Sequence, residues 1–179
     1  MKKYWVLMGI VIAIIVFMLG MILCLFPRNN YNAIIDKYSN EYRLDKAMVY
    51  SVINIESGFD VRAESSAGAK GLMQLLPSTA MDCANRIGIE MTEDEIFDED
   101  KNIRIGCFYL SYLLNLFEGN LINTLSAYNW GLGNVKQWVA FGNVDKDGTI
   151  INIPVRETQN YIRKYRINYF IYKKLFNIS

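Results

Sequence analysis

The sequence predicts an all-α domain preceded by one N-terminal membrane-spanning helix. Two observations carry that expectation. From Tyr4 to Phe26 run 23 residues without a charge. Beyond them, apolar residues recur at three- and four-residue spacing, and nothing reads clearly as a strand. As a helix the uncharged run would be about 34 Å long at 1.5 Å per residue, enough to cross a bilayer. Lys2 and Lys3 precede it and only Arg28 follows closely, which orients the N-terminus to the cytoplasm and residues 27 onward to the outside. A cleaved signal peptide would have an apolar region of about 7–15 residues ending in small residues. This run ends Leu23-Cys24-Leu25-Phe26-Pro27, and Cys24 lacks the small residue before it that lipidation requires. The expected organisation is a cytoplasmic tip at 1–3, an anchor at 4–26, a linker at 27–30 and a folded domain at 31–179.

Within the domain, Ile34, Ile35, Tyr38 and Tyr42 place a helix over 31–43, and Asp45 offers an N-cap for a second over 46–57, which Gly58 ends. After a loop from Ser65 to Gly71, Pro77 suits the first position of a helix running to about Arg86 and stopping at Gly88. A long helix over 100–117 carries Ile103, Cys107, Leu110 and Leu114 on one face. Short helices come next near 120–128 and 133–141, then a loop at 142–154 and a closing helix over 156–176.

At 179 residues and 20.7 kDa the chain has room for one domain of ordinary size. Its 52% hydrophobic and 21% charged content excludes intrinsic disorder. The net charge of +1 gives no electrostatic case for nucleic acid. Histidine is absent, which excludes Ser-His-Asp and Cys-His catalysis and most zinc chemistry. Without Lys2 and Lys3, residues 27–179 carry 17 bases and 18 acids. Seven of the acids fall between Glu90 and Asp100, and six of the bases between Arg156 and Lys174. Both runs read first as solvated faces, with a docking surface for an anionic wall polymer or lipid as the alternative. Cys83 and Cys107 sit in apolar helical stretches and read as small packed hydrophobes more readily than as a disulfide.

The second helix carries the first chemical signal. Its buried stripe reads Met48, Val49, Val52, Ile53, and the next position on that stripe is Glu56. A carboxyl turned inward there would be desolvated and held protonated near neutral pH, as a general acid requires. The stripe alone leaves open a helix-end glutamate bent out to solvent.

Further motifs come in order: Glu56-Ser57-Gly58-Phe59, then Ser65, Ala67-Gly68-Ala69 and Gly71-Leu72-Met73-Gln74-Leu75, then Ala127-Tyr128-Asn129-Trp130-Gly131, and finally Glu157-Thr158 leading to Tyr161. This ordered set resembles the soluble lytic transglycosylase family over nearly all of 30–172. The resemblance implies a lysozyme-like, mainly helical fold that cleaves the glycan strands of peptidoglycan without a cofactor. It puts Glu56 at the family's lone catalytic acid/base. Ser65, Met73, Gln74, Tyr128 and Asn129 fall at sugar-cleft positions, and Glu157 and Tyr161 fall beside the acid. Amides and hydroxyls suit sugar hydroxyl and acetamido groups, while Met and Tyr give apolar faces to pyranose rings. Met73 and Tyr128 also read as core residues. Trp130 departs from the alanine common at its position.

The two-carboxylate glycosidase arrangement has no second member at a convincing position, since Asp60 lies past the Gly58 break and Glu64 in a loop. A lone glutamate suffices if the muramyl 6-hydroxyl, not water, closes on the anomeric carbon to leave a 1,6-anhydromuramyl end. The expected activity is therefore that of a membrane-anchored murein lyase on the outer side of a bacterial cell membrane. A water-using muramidase and a non-catalytic glycan-binding scaffold are the competing readings. The loop from Asn143 to Gly148 has the opening acid spacing of a calcium loop, but its twelfth position is Pro154, so no metal is expected.

Overall fold

The computed structural model describes residues 2–25 and 31–178, with side chains described for 4–18, 20 and 31–178. The chain divides into two compact units, Met1–Asn30 and Tyr31–Ser179. In the first, α1 (Lys2–Leu25) is a continuous helix whose described side chains are exposed. Among the described residues no helix is long and apolar enough to cross a membrane. The helical state expected of 4–26 is met over 4–25, whereas a crossing of the bilayer is not established by the fold. Met1, Phe26 and the linker 27–30 lie outside the described residues, as do the side chains of Lys2, Lys3 and Cys24.

The second unit is helical throughout, its only β pairing among the described residues being isolated bridges. It contains α2 (Asn32–Glu41), α3 (Lys46–Glu56), α4 (Pro77–Arg86), α5 (Glu99–Leu116), α6 (Leu121–Trp130), α7 (Leu132–Ala140) and α8 (Arg156–Phe170). α3 is the central helix, with every residue from Ala47 to Ile53 buried. α2 and α8 pack against it. Its start is set where expected: the Asp45 carboxylate accepts the Ala47 N–H at 2.8 Å, and the same side chain accepts from Tyr169 and Lys173 at 2.8 and 2.9 Å. One residue thus caps α3 and ties it to the end of α8. α4 opens with Pro77 at its first turn, where the missing N–H has no intrahelical partner to lose.

All the acids of the 90–100 run except Glu95 are exposed, as solvated faces would be, and the run is also ordered. Glu93–Phe97 forms a 3₁₀ turn closed by a Thr92–Glu95 capping box. Glu95 pairs with Lys101, Glu93 pairs with Lys70 at 2.7 Å, and Asp98 caps α5 by accepting the Lys101 N–H. The closing helix loses its α-helical register after Phe170 and widens into a π-helical turn over Ile171–Leu175, where Tyr172 is buried 5.4 Å from the Tyr50 ring. Cys83 and Cys107 are both buried and free. A satellite core of Leu113, Ala127, Val135 and Ile150 holds α5, α6, α7 and the 142–154 loop together.

Candidate active site

Glu56 is the last residue of α3, and the chain just beyond it is pinned. The Ser57 hydroxyl donates to the Leu72 carbonyl at 2.8 Å, fastening the 63–75 loop to the end of the helix. That loop is closed by Ser65, whose hydroxyl accepts the Ala69 N–H at 3.0 Å. It is also closed by Gln74, whose amide donates to the Ala63 and Gly71 carbonyls at 3.0 Å each. Gln74 holds φ at +47°, a strained backbone for a side-chain-bearing residue, kept by those bonds.

From beneath, Asn102 of α5 supports the same loop, accepting the Met73 N–H at 2.8 Å and donating to the Lys70 and Ile96 carbonyls at 3.1 and 2.8 Å. Gly71, at φ +78°, leaves the room this needs, because a Cβ there would stand 2.3 Å from the Asn102 amide nitrogen. Asn102 is a site-forming residue that the motifs do not include. A signal for it is present in the sequence all the same: Asn102, Gly106, Leu110 and Leu113 share one buried stripe, and Asn102 is the polar member.

The opposite wall comes from the last turn of α6 and the first half of α8. α6 runs to Trp130, two residues beyond the predicted end, and Gly131 at φ +89° turns the chain into α7. Tyr128 and Asn129 therefore stand on a rigid helical turn. The Tyr128 hydroxyl donates to the Met73 carbonyl at 2.8 Å, and Asn129 accepts from the buried Thr158 hydroxyl at 2.7 Å.

Between these walls lies a cleft of about 280 Å³ lined by Glu56, Ser65, Gln74, Tyr128, Asn129 and Glu157, together with Thr79, Tyr109 and Trp130 among others. Six of the eight residues expected at the site meet there. A second chamber of about 350 Å³ adjoins it, sharing Glu56, Asn129 and Glu157 and adding Tyr161 as well as Asn160, Arg163 and Lys164. Met73 lines neither chamber. Its side chain is fully buried over Gly106, where an added Cβ would stand 2.3 Å from the Met73 sulfur, and its part in the site is the carbonyl that holds Tyr128. Of its two sequence readings, the core one describes where the side chain lies.

The electrostatics arise from this enclosure. Burial pushes the Glu56 carboxyl up to about 7, with the Tyr161 hydroxyl lowering it and the like charge of Glu157 raising it further. The Tyr161 hydroxyl is buried without a hydrogen bond of ordinary geometry among the described residues. Tyr161 thus acts on the acid as a neighbouring dipole. Burial, with the Glu56 charge second, holds both Tyr128 and Tyr161 well above the usual phenol range, so both stay neutral donors. Among the described residues no cluster of His, Cys, Asp or Glu is arranged to hold a metal ion.

Residues 33–149 match the family described as the Transglycosylase SLT domain. The soluble lytic murein transglycosylase of Escherichia coli (strain K12) is 30% identical over 137 residues, covering 74% of this chain and 21% of that protein. A putative soluble lytic murein transglycosylase of Haemophilus influenzae is 32% identical over 152 residues, covering 83% and 26%. Among solved structures, an inactive mutant of lytic transglycosylase Slt from Pseudomonas aeruginosa superimposes with a TM-score of 0.75 at 29% identity, covering 86% of this chain and 25% of that one. The chain thus spans about a fifth to a quarter of the length of these relatives. The motifs meeting around Glu56, the helical fold and the match over 33–149 agree: this chain belongs to the SLT transglycosylase domain family.

Proposed function

We propose that this protein is a lytic transglycosylase that cleaves the β-1,4 bond between N-acetylmuramic acid and N-acetylglucosamine in peptidoglycan and leaves 1,6-anhydromuramyl ends. The observation that carries the reading is a half-buried cleft carboxyl, Glu56, raised to about 7 and so half-protonated at neutral pH. The protonated carboxyl donates its proton to the bridging oxygen as the bond to the anomeric carbon breaks. The substrate's acetamido group stabilises the oxocarbenium-like centre. The carboxylate of Glu56 then takes the proton from the muramyl 6-hydroxyl as that oxygen bonds to the anomeric carbon, which returns the acid to its starting state with no water consumed. Neutral Tyr128 and Tyr161 and the Asn129 amide supply fixed dipoles around these steps.

One observation favours a second reading. Glu157 lines both chambers with Glu56 and raises its pKa, so a second carboxylate stands near the acid, as a water-using muramidase would need. Product mass separates the two. Digestion of purified sacculi by the full chain in detergent should release muropeptides one water lighter than the reducing-end products. Reducing ends would establish hydrolysis, and no new ends would leave a glycan-binding scaffold.

The uncharged run of 4–26 supports a single membrane-spanning anchor, with Lys2 and Lys3 holding the N-terminus inside and the SLT domain facing the wall. A reporter fused after Ser179 should be active only outside the cytoplasm, and activity inside would overturn the orientation.

A further inference from the structure

The second half of α8 and the π-helical turn after it carry an exposed outer face that has no part in the site. Arg163, Arg166, Ile167 and Phe170 recur at intervals of three and four residues and so form one exposed stripe. At 3.6 residues per turn Leu175 would stand about 140° around the helix from Phe170. The wider π turn over Ile171–Leu175 brings it, with Lys174, back beneath Phe170. Ile167, Phe170 and Leu175 are 56%, 59% and 64% exposed, three large apolar side chains set among cations. No acid follows Glu157 in the sequence, whereas five bases do.

This face lies at the end of the domain where the chain enters it. Tyr31, the first described residue of the domain, stacks on Phe59 at 6.2 Å, Phe59 packs against Tyr50 at 6.0 Å, and Tyr50 against Tyr172 at 5.4 Å. Three ring contacts thus link the entry point to the π turn. Five Cα steps separate Phe26 from Tyr31, about 18 Å when fully extended.

We propose that Ile167, Phe170 and Leu175, with Arg163, Arg166 and Lys174 around them, form a docking face for the anionic lipid surface of the membrane that residues 4–26 enter. The proposal rests on the anchor reading above. So short a tether keeps the end of α8 within reach of the headgroups. Apolar side chains then enter the acyl boundary while the cations stay among the phosphates. Because α8 also carries Glu157 and Tyr161 to the active site, docking its outer face sets the orientation of the cleft over the bilayer, which a single tether leaves free to rotate.

The test uses the full chain reconstituted in nanodiscs, with a photoreactive phenylalanine analogue in place of Phe170 or, in a second preparation, of Phe141, an 85% exposed control outside the face. On phosphatidylglycerol discs, illumination should give lipid adducts at position 170 at least about tenfold above those at 141. The yield at 170 should fall with added salt and on phosphatidylcholine discs, since each cation near an anionic surface is worth about fivefold in binding. R166E/K174E should cut it roughly tenfold or more at an unchanged melting temperature, and R166K/K174R should keep it. Equal yields at 170 and 141, or a yield at 170 that survives R166E/K174E, overturns the proposal. So do adducts at 170 with a soluble glycerol-phosphate polymer and none with lipid, because the face would then take a wall phosphopolymer. Failure of the anchor reading is visible separately, as wild type that leaves the discs in high salt, and the proposal falls with it.

Discussion

The Tyr128 hydroxyl donates a 2.8 Å hydrogen bond to the Met73 carbonyl, joining residues 55 positions apart across the floor of the cleft. Tyr128 brings the end of α6 and Met73 brings the loop that Asn102 supports, so this one bond sets the spacing of two walls of the site. The Tyr109 ring, 5.5 Å from that of Tyr128, braces it from α5.

Tyr128→Phe should therefore leave the Met73 carbonyl without its partner and lower stability by about 1–3 kcal/mol, the cost of one unpaired buried acceptor. Turnover should fall roughly 10- to 1000-fold through misplacement of the walls and loss of a donor in the site. Thermal melting and anhydro-end release on one preparation check both, and unchanged turnover would remove Tyr128 from the machinery.

Glu56→Gln should keep sacculus binding and lose cleavage, by at least the roughly 100- to 10,000-fold that general acid/base assistance supplies. The same change should stabilise the fold at high pH. The carboxyl rises from 4.5 to about 7 on folding, which at about 1.36 kcal/mol per tenfold change in proton affinity is at most about 3 kcal/mol. Because the folded pKa is the higher one, the wild type loses this stability as pH climbs from 4.5 to 7. The mutant's advantage should be absent below pH 4.5 and complete above 7. Equal melting curves across that range would refute the buried acid.

The pH profile should carry a matching signature. Protonated Glu56 is the active form in the first step, so kcat/KM should fall above about pH 7. Glu157→Gln removes a like charge and should move that limb to lower pH. Tyr161→Phe removes a dipole that favours the ionised form and should move it to higher pH. Displacements of opposite sign would identify Glu56 as the titrating group, and a limb that ignores both substitutions would point to another.

Asn102→Ala should destabilise the domain by about 1–3 kcal/mol or more, since it strands the Met73 N–H together with the Lys70 carbonyl of the loop and the Ile96 carbonyl of the 3₁₀ turn. Gly71→Ala should do comparable harm by a different route, combining strain at φ +78° with a Cβ 2.3 Å from the Asn102 amide. Both variants should lose activity along with stability. The combined substitution should cost less than the sum, because the Asn102 side chain is the obstacle that the new Cβ meets. Full additivity in chemical denaturation would break that link.

Local rules in the sequence determined most of the helical framework. Asp45 caps α3 because a carboxylate at that position satisfies an N–H of the first turn, and Pro77 opens α4 because its fixed φ suits the start of a helix. Glu56 was legible because period 3.6 puts it on a buried stripe, so its inward turn comes from the helix itself. Tertiary structure decided what surrounds it. Tyr161 and Glu157 reach the acid from about 100 residues away, and only the packing of α8 against α3 brings them there. The same packing forms the second chamber, since Arg163 and Lys164 look like any solvated helix face until the neighbouring wall is known. Met73 marks the opposite limit: a flexible apolar side chain suits a sugar cleft and a core equally well, and the space left by Gly106 on another helix drew it inward. Periodicity acts within one helix and can be read along the chain, whereas burial, charge and cavity shape arise from atoms that the chain order keeps far apart.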